Sequence, residues 1–387
     1  MTAVREAVTD RVAAVLPAIA EHAARHDAEA SFPAEALAEL RRSGLLALHL
    51  PAADGGLGGG IADMVSAGER LGRADLSAAL VFVMHCQQVV TLARYAGPRL
   101  REHLFPRLAR GEIYLASVTT EAGSGGQLTT AESELAGGGG SLGVDRLAPV
   151  VTGGAHADGF LITMRAPHAP SPSAVSLVYA DRGQLEVAPR GRWNPMGMRA
   201  TDSPPLRLTG TVPDWQTVGG HGRFREMAVA LFAPMAHLGW AAAWLGAATG
   251  ALGRTVAHLR DPATRRGTDL SSELLLTRLA GVRGRLERTN ALLWHAVDAV
   301  GDADDVSAPA VQSLLNTLKV SAAEDTFAAL HELVELTGLR HGYTRDSPLW
   351  LERTFRDLRS ASLNYANDRL RLANGRLALL DPEVHLA

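Results

Sequence analysis

A chain of 387 residues, 47% of them hydrophobic, carries 38 basic and 41 acidic side chains for a net charge of −3. That length allows two or three domains around a large core, and the near-balance of charge argues against a nucleic-acid partner. A single cysteine, Cys86, leaves no internal disulfide, and no Cys/His spacing supports zinc, so no metal is expected.

The first twelve residues are charged and amphipathic and lack the apolar centre of a signal peptide, so a cytoplasmic protein is expected. Apolar residues then recur at helical spacing in Val4–Ala28, Pro33–Gly44, Ile61–Gly72 and Arg99–Arg110. The loop Asp54–Gly60 interrupts them with five glycines. From residue 113 the pattern changes to short apolar runs, Ile113–Val118, Gly159–Met164, Val175–Tyr179 and Leu206–Leu208, separated by glycine- and proline-rich turns. This spacing predicts an antiparallel β domain, a small barrel or sandwich. Long helical patterns return over 224–260, 268–300, 308–337 and 348–379, as in a four-helix bundle. The expected fold is α+β and mostly α: an N-terminal helical domain (1–112), a middle β-barrel (113–218) and the C-terminal bundle (219–387).

The stretch Met227–Gly253 holds no charged residue. It is long enough for a membrane span, yet His237 and Pro234 lie inside it and no second span or basic flank accompanies it. The expectation is a helix buried on all sides, with burial against a second subunit. Nearly every basic residue is arginine, as a GC-rich genome produces. Lys319 is the only lysine, so its position carries information.

Three segments concentrate chemistry. Val118–Gln127 collects hydroxyls, glycines and free peptide N–H groups, a loop able to approach an anionic or planar ligand. It is neither a P-loop nor a G-x-G-x-x-G turn, because no Gly-Lys-Ser/Thr and no crossover helix follow. The others are Trp193–Ser203 and Leu336–Tyr343, the latter continuing through Pro348 to Glu352-Arg353 and Arg356-Asp357.

Taken in order, these segments resemble the acyl-CoA dehydrogenase family over essentially the whole chain. Gly44-Leu45-Leu46, Pro51 and Gly55–Gly58 are similar to its N-terminal pattern, and His85 and Gly97–Glu112 follow. Thr120-Glu121-Ala122-Gly123-Ser124-Gly125 resembles "TEPGAGS", and Gly197–Ser203 resembles "GMRATGS". Lys319 falls on a family lysine, and Gly338–Asp357 resembles the closing Gly-Gly, Glu-Arg and Arg-Asp pattern. The resemblance implies an FAD flavoprotein, a homodimer or homotetramer, with the flavin between barrel and bundle. It implies that Thr119, Thr120, Gly125 and Gly126 line the flavin or its pyrophosphate, with Val150, Val151 and Thr152 beside the ring. Arg265 or Arg266 would approach the partner subunit's FAD, and Glu335, Gly338 and Leu339 would match "QxxGG".

The departures concern catalysis. Dehydrogenation of an acyl thioester needs a carboxylate to remove the α-proton. The family's base falls on Tyr365, whose "EGT" has become Tyr365-Ala366-Asn367, and a neutral phenol is a poor base. An alternative base position falls near Val229, with Glu226 one turn earlier. Asp368 lies three residues after Tyr365 and would share its helix face if the helix continues; the favoured reading is a surface partner for Arg369 or Arg371. His85 could act near the flavin or pack in the core. Tyr365 could bind substrate or fill the space of the lost carboxylate. Asn367 joins the cofactor-side candidates. Trp240 and Trp244 could limit the length of a bound chain.

Three functions follow from the sequence. The first is oxidation of an acyl group on coenzyme A or a carrier protein with a relocated base, passing electrons to an acceptor, in biosynthesis. The second is a flavin monooxygenase or N-hydroxylase supplied by a reductase, with His85, Tyr365 and Asn367 near the reacting flavin. The third is a non-redox scaffold. No membrane partner is expected.

Overall fold

The computed structural model describes residues 3–122, 127–264 and 269–387. It forms two compact units. The first comprises Met1–Met64, Val81–Asn194 and Ala200–Ala236. The second comprises Val65–Leu80, Pro195–Arg199 and His237–Ala387.

In the first unit, helix α1 (Ala3–Glu29) buries Val8, Val12, Val15, Ile19 and Ala23, one stripe at helical spacing. Helix α2 (Ala34–Arg42) turns its buried Ala36, Leu37 and Leu40 inward. Helix α3 (Ile61–Ala74) belongs mostly to the second unit, helix α4 (Leu76–Tyr95) belongs to the first from Val81 onward, and α5 (Pro98–Ala109) belongs to the first. Helical periodicity in the sequence does not reveal α4. Its residues are apolar around nearly the whole circumference, so burial on all sides erases the stripe that periodicity detects.

Among the described residues eight strands form two four-stranded sheets: β1 (Leu115–Val118), β4 (Gly159–Arg165), β5 (Val175–Asp181) and β8 (Thr217–Val218) in that order, and β2 (Ala136–Gly138), β3 (Ser141–Ala148), β7 (Leu206–Pro213) and β6 (Leu185–Pro189) in the other. The β domain is not wholly antiparallel: β1 pairs parallel with β4, Leu115 opposite Gly159. Both strands are buried on both faces, as parallel pairs generally are. Gly139 and Gly140, both at positive φ, make the tight turn between β2 and β3. Leu115, Leu161, Leu177, Tyr179, Val218 and Phe224 share one core with α5.

In the second unit, α8 (Glu273–Asp302) and α9 (Pro309–Gly338) pack along their length, and α10 (Leu351–Arg359) and α11 (Asn367–Ala378) pack on α9. Helix α7 (Ala233–Arg260) follows the short α6 (Phe224–Met227) and a π turn over Ala228–Phe232. Small residues let α7 meet α3 at backbone distance. A Cβ on Gly246 would stand 2.0 Å from the Glu69 carbonyl oxygen, and one on Gly72 2.4 Å from that of Ala243. The expected single helix over 348–379 is two helices, and Tyr365 sits in the break at φ 52°. Among the described residues two helices, Leu76–Tyr95 and Phe224–Arg260, are apolar enough to cross a membrane by length and composition, and 83% of each apolar window is buried within the protein.

Candidate functional site

In the first unit a strip of hydroxyls and peptide groups follows β1. Thr120 Oγ1 donates to the Val150 carbonyl at 2.9 Å. The Tyr114 hydroxyl donates to the Thr152 carbonyl at 3.2 Å, and Gly153 N to that of Thr201 at 2.9 Å. Val150 is exposed, Val151 buried, and Thr119 and Thr152 half-buried. Among the described residues, the peptide N–H groups of Val151 and Thr152 have no backbone acceptor. Peptide N–H and hydroxyl donors suit the carbonyls and ring nitrogens of a flavin, so the chemistry of this strip fits that cofactor. Gly125, Gly126, Arg265 and Arg266 lie outside the described residues.

Beneath the strip lies a pair that sequence reading misses. Arg146, fully buried, forms an ion pair with Glu121, and its Nη2 donates to the Thr120 carbonyl at 3.1 Å. Glu121 also accepts from the Glu132 and Ser133 peptide N–H groups at 2.8 and 2.9 Å. Burial pushes the Glu121 pKa up, but the Ser133 hydroxyl and Arg146 outweigh it, and the net shift is downward. The pair ties β3 to the segment carrying Thr119 and Thr120. An arginine in an alternating strand carries no sequence signal of burial.

His85 is 0% exposed. Its Nε2 bonds the Leu46 carbonyl at 2.8 Å, and its Nδ1 accepts from Leu115 N at 3.1 Å, so both ring nitrogens hold backbone. Burial lowers its pKa from 6.5 to about 4. Glu226 is a surface residue, its carboxylate 66% exposed and 2.6 Å from Arg223. Val229 lies within the π turn, where Gln87 Nε2 donates to the Phe232 carbonyl at 2.6 Å.

In the second unit, the first half of the Gly-Met-Arg motif is clamped to α10. Met198 N donates to Asp357 Oδ1 at 2.5 Å, and Arg356 Nη1 to the Met196 carbonyl at 3.0 Å. Gly197 is required there, because a Cβ would stand 2.0 Å from the Arg356 carbonyl oxygen. Two motifs joined by bonds that span 159 and 160 positions of the sequence are thus parts of one joint.

Tyr365 is half-buried, and burial raises its phenol pKa, so it is a neutral hydroxyl rather than a base. Its ring lies 6.0 Å from that of His237. The sole lysine explains how this turn is held. Lys319 Nζ, buried, donates to the Ala361 and Tyr365 carbonyls at 3.0 Å each and to Asn367 Oδ1 at 2.8 Å. Burial lowers its pKa to about 8. The Asn367 amide nitrogen donates to Glu324 Oε1 at 3.0 Å, which commits both ends of that side chain. Asp368 does not share a helix face with Tyr365, because α11 begins only at Asn367. Its carboxylate is 95% exposed and 3.3 Å from Arg371. Glu335, Gly338 and Leu339 are exposed at the end of α9, where Gly338 has φ 63°. Among the described residues no cluster of His, Cys, Asp or Glu is arranged to hold a metal.

Lys319→Met leaves three acceptors without their donor, and the expected cost is about 2–3 kcal/mol. Denaturant midpoints check this, and an unchanged midpoint rejects the role.

Two family models match the chain, the N-terminal domain of acyl-CoA dehydrogenases over residues 2–112 and their C-terminal domain over 226–364. An L-evernosamine nitrososynthase from a Micromonospora species is 31% identical over 212 residues, 52% of this chain and 48% of that protein, so the match spans about half of that relative. The probable acyl-CoA dehydrogenase FadE25 of Mycobacterium tuberculosis is 23% identical over 94% of this chain and 91% of its own. Among solved structures, butyryl-CoA dehydrogenase from Megasphaera elsdenii superposes with a TM-score of 0.85 at 17% identity, over 98% of this chain and 99% of that one. TdsC from Paenibacillus sp. A11-2, with FMN and indole, gives 0.86 at 20% identity over 97% of each. KijD3, with FMN and a dTDP-linked amino sugar, gives 0.85 at 22% identity over 98% of this chain and 94% of that one. At these identities the likeness of the structures concerns the fold.

Proposed function

This chain belongs to the acyl-CoA dehydrogenase family of flavin-dependent oxidoreductases, and within it we propose that it is a monooxygenase that oxygenates an amine nitrogen, not a dehydrogenase of acyl thioesters. One observation carries the reading: the two positions for a catalytic base hold Tyr365 and Val229, and the carboxylates near them in sequence, Glu226 and Asp368, are surface residues paired with arginines. Without a positioned carboxylate, α-proton removal from a thioester has no agent. Oxygenation needs none. The amine, dioxygen and two reducing equivalents give the hydroxylamine and water. The names of relatives support an amine: the nitrososynthase above, and an amino sugar nitrososynthase of Streptomyces rubradiris that is 29% identical over 208 residues.

A bound flavin supplies the two electrons and the activation of oxygen. Thr119, Thr120, Val151 and Thr152 would hold its ring system. His85 acts as a structural residue, since both of its nitrogens are committed. Tyr365 offers a neutral hydroxyl to the substrate. FAD is the form that the resemblance implies, and a reductase would deliver reducing equivalents. Chromatography of the cofactor released from purified protein tests the first point, and FMN alone would overturn it.

The experiment supplies reduced flavin, a dTDP-linked amino sugar and ¹⁸O₂. The expected product carries one labelled oxygen on nitrogen. Anaerobic bleaching of bound flavin by an acyl-CoA thioester, with no labelled product, overturns the reading. Tyr365→Glu restores a carboxylate at the family's base position. Thioester-dependent bleaching is expected to stay below a hundredth of the rate of oxygenation in the unaltered protein, because a lone carboxylate does not rebuild a thioester site. Rapid bleaching in that variant rejects this expectation.

A further inference from the structure

Helix α7 carries three aromatic side chains on one inward face within the second unit: His237 and Trp244, both buried, and the half-buried Trp240, at positions i, i+3 and i+7. Neighbouring rings are 6.1 and 6.3 Å apart, and Tyr365 lies 6.0 Å from His237 on the other side. His237 Nδ1, Trp240 Nε1 and Trp244 Nε1 are all buried and have no hydrogen-bond partner. Buried polar groups in folded proteins are nearly always paired, so three orphans on one face call for an explanation. Packing alone does not supply one, since phenylalanine fills such space without an unpaired nitrogen.

We infer that this face is a recognition surface for an uncharged polar ring, on which His237 Nδ1 accepts an N–H or O–H of the ligand and the indole N–H groups donate to its oxygens. The histidine ring bonds the Leu315 backbone, which leaves Nδ1 as the acceptor. Burial and the charge of Lys319 lower its pKa to about 3, so it accepts and does not donate at neutral pH. Two cations act on this cluster, Lys319 with Nζ 5.6 Å from the Trp244 ring and Arg369 on Tyr365, while the carboxylate that acts on Lys319, Glu324, is engaged by Asn367 and Arg371. The two cations disfavour an ammonium group at this face. The flat indoles suit the C–H faces of a saturated ring.

The inference deepens the proposed function and rests on it for the consequence. An amine held through an N–H keeps its lone pair free, and only the unprotonated nitrogen can attack an electrophilic oxygen. His237 is therefore a positioning residue for the amine and Trp244 a reader of the ring it is attached to.

The test uses trans-1,2-cyclohexanediol as a neutral probe and trans-2-aminocyclohexanol, charged at pH 7, as its cation. Both are titrated into the full-length protein with oxidised flavin, followed by tryptophan fluorescence and by the ¹⁵N signal of His237. The diol is expected to bind at least tenfold more tightly than the cation and to shift the His237 signal. His237→Phe is expected to weaken diol binding about tenfold, His237→Asn to regain part of it through its amide oxygen, and Trp244→Phe to weaken it a few-fold. An unchanged affinity in both His237→Phe and Trp244→Phe overturns the inference, as does tighter binding of the cation or no saturable binding of the diol. Binding is read without turnover. A protein that binds the diol as described but yields no labelled hydroxylamine keeps the recognition surface and loses the oxygenase reading, and the reverse result does the opposite.

Discussion

Between pH 6.5 and pH 4 the protein is expected to lose stability steeply, because it buries three neutral histidines. His49 and His85 have pKa values lowered from 6.5 to about 4, and His237 to about 3, burial being the largest cause for each. The unfolded chain takes up protons on these rings near pH 6.5, whereas the folded chain does not until near pH 4. The stabilising contribution is therefore complete above pH 6.5 and drains away as the pH falls towards the folded values. One pKa unit corresponds to about 1.4 kcal/mol, so each histidine contributes about 2 kcal/mol of the loss by pH 5 and about 3 by pH 4. Against a total stability of about 5–15 kcal/mol, three such groups dominate the acid limb. The geometry of His85 makes this concrete. Protonation would put a hydrogen on Nδ1 facing the Leu115 N–H, which already donates to it. Urea midpoints at pH 7 and pH 5 measure the effect. His85→Phe is expected to be less stable at pH 7, since Leu46 and Leu115 lose their partner, but to show a shallower fall between the two pH values. Equal midpoints at pH 7 and pH 5 in the unaltered protein would sink the argument.

Arg146→Met is expected to destabilise the first unit by about 3–5 kcal/mol, the usual cost of removing one partner of a buried ion pair. Glu121 would remain buried with its charge, without Arg146 beside the contacts it keeps from the Ser133 hydroxyl and the peptide N–H groups of Glu132 and Ser133. The double variant Arg146→Met with Glu121→Gln removes the stranded charge and is expected to recover about half of the loss. Because Arg146 also holds the Thr120 carbonyl, flavin retention is expected to fall more than tenfold in the single variant. Equilibrium unfolding and the absorbance of retained flavin test the two halves separately. Full stability in the single variant would show the pair to be dispensable, and normal flavin retention would remove its link to the cofactor strip.

Much of the fold is legible in the amino-acid sequence. The order helical, β, helical follows from the change of apolar period near residue 113 and again near residue 219, and the motifs around Thr120, Gly197 and Arg356 carry the family. The composition also excludes an internal disulfide, since Cys86 stands alone. What periodicity misses is buried on all sides: α4 shows no stripe, and the parallel pairing of β1 with β4 has no alternation to reveal it. The resemblance implies a carboxylate where the sequence has Tyr365, but it does not tell what surrounds that side chain. Helical spacing placed Asp368 on the face of Tyr365, and the turn at φ 52° separates them. That turn exists because Lys319, 46 positions away, supplies donors for carbonyls that no helix satisfies. Burial, pairing and the orphaned nitrogens of His237, Trp240 and Trp244 are properties of contacts between distant segments. Local spacing decides which elements form and which family they announce. Only tertiary packing decides which charges are stranded, which are paired, and which polar atoms are left for a ligand.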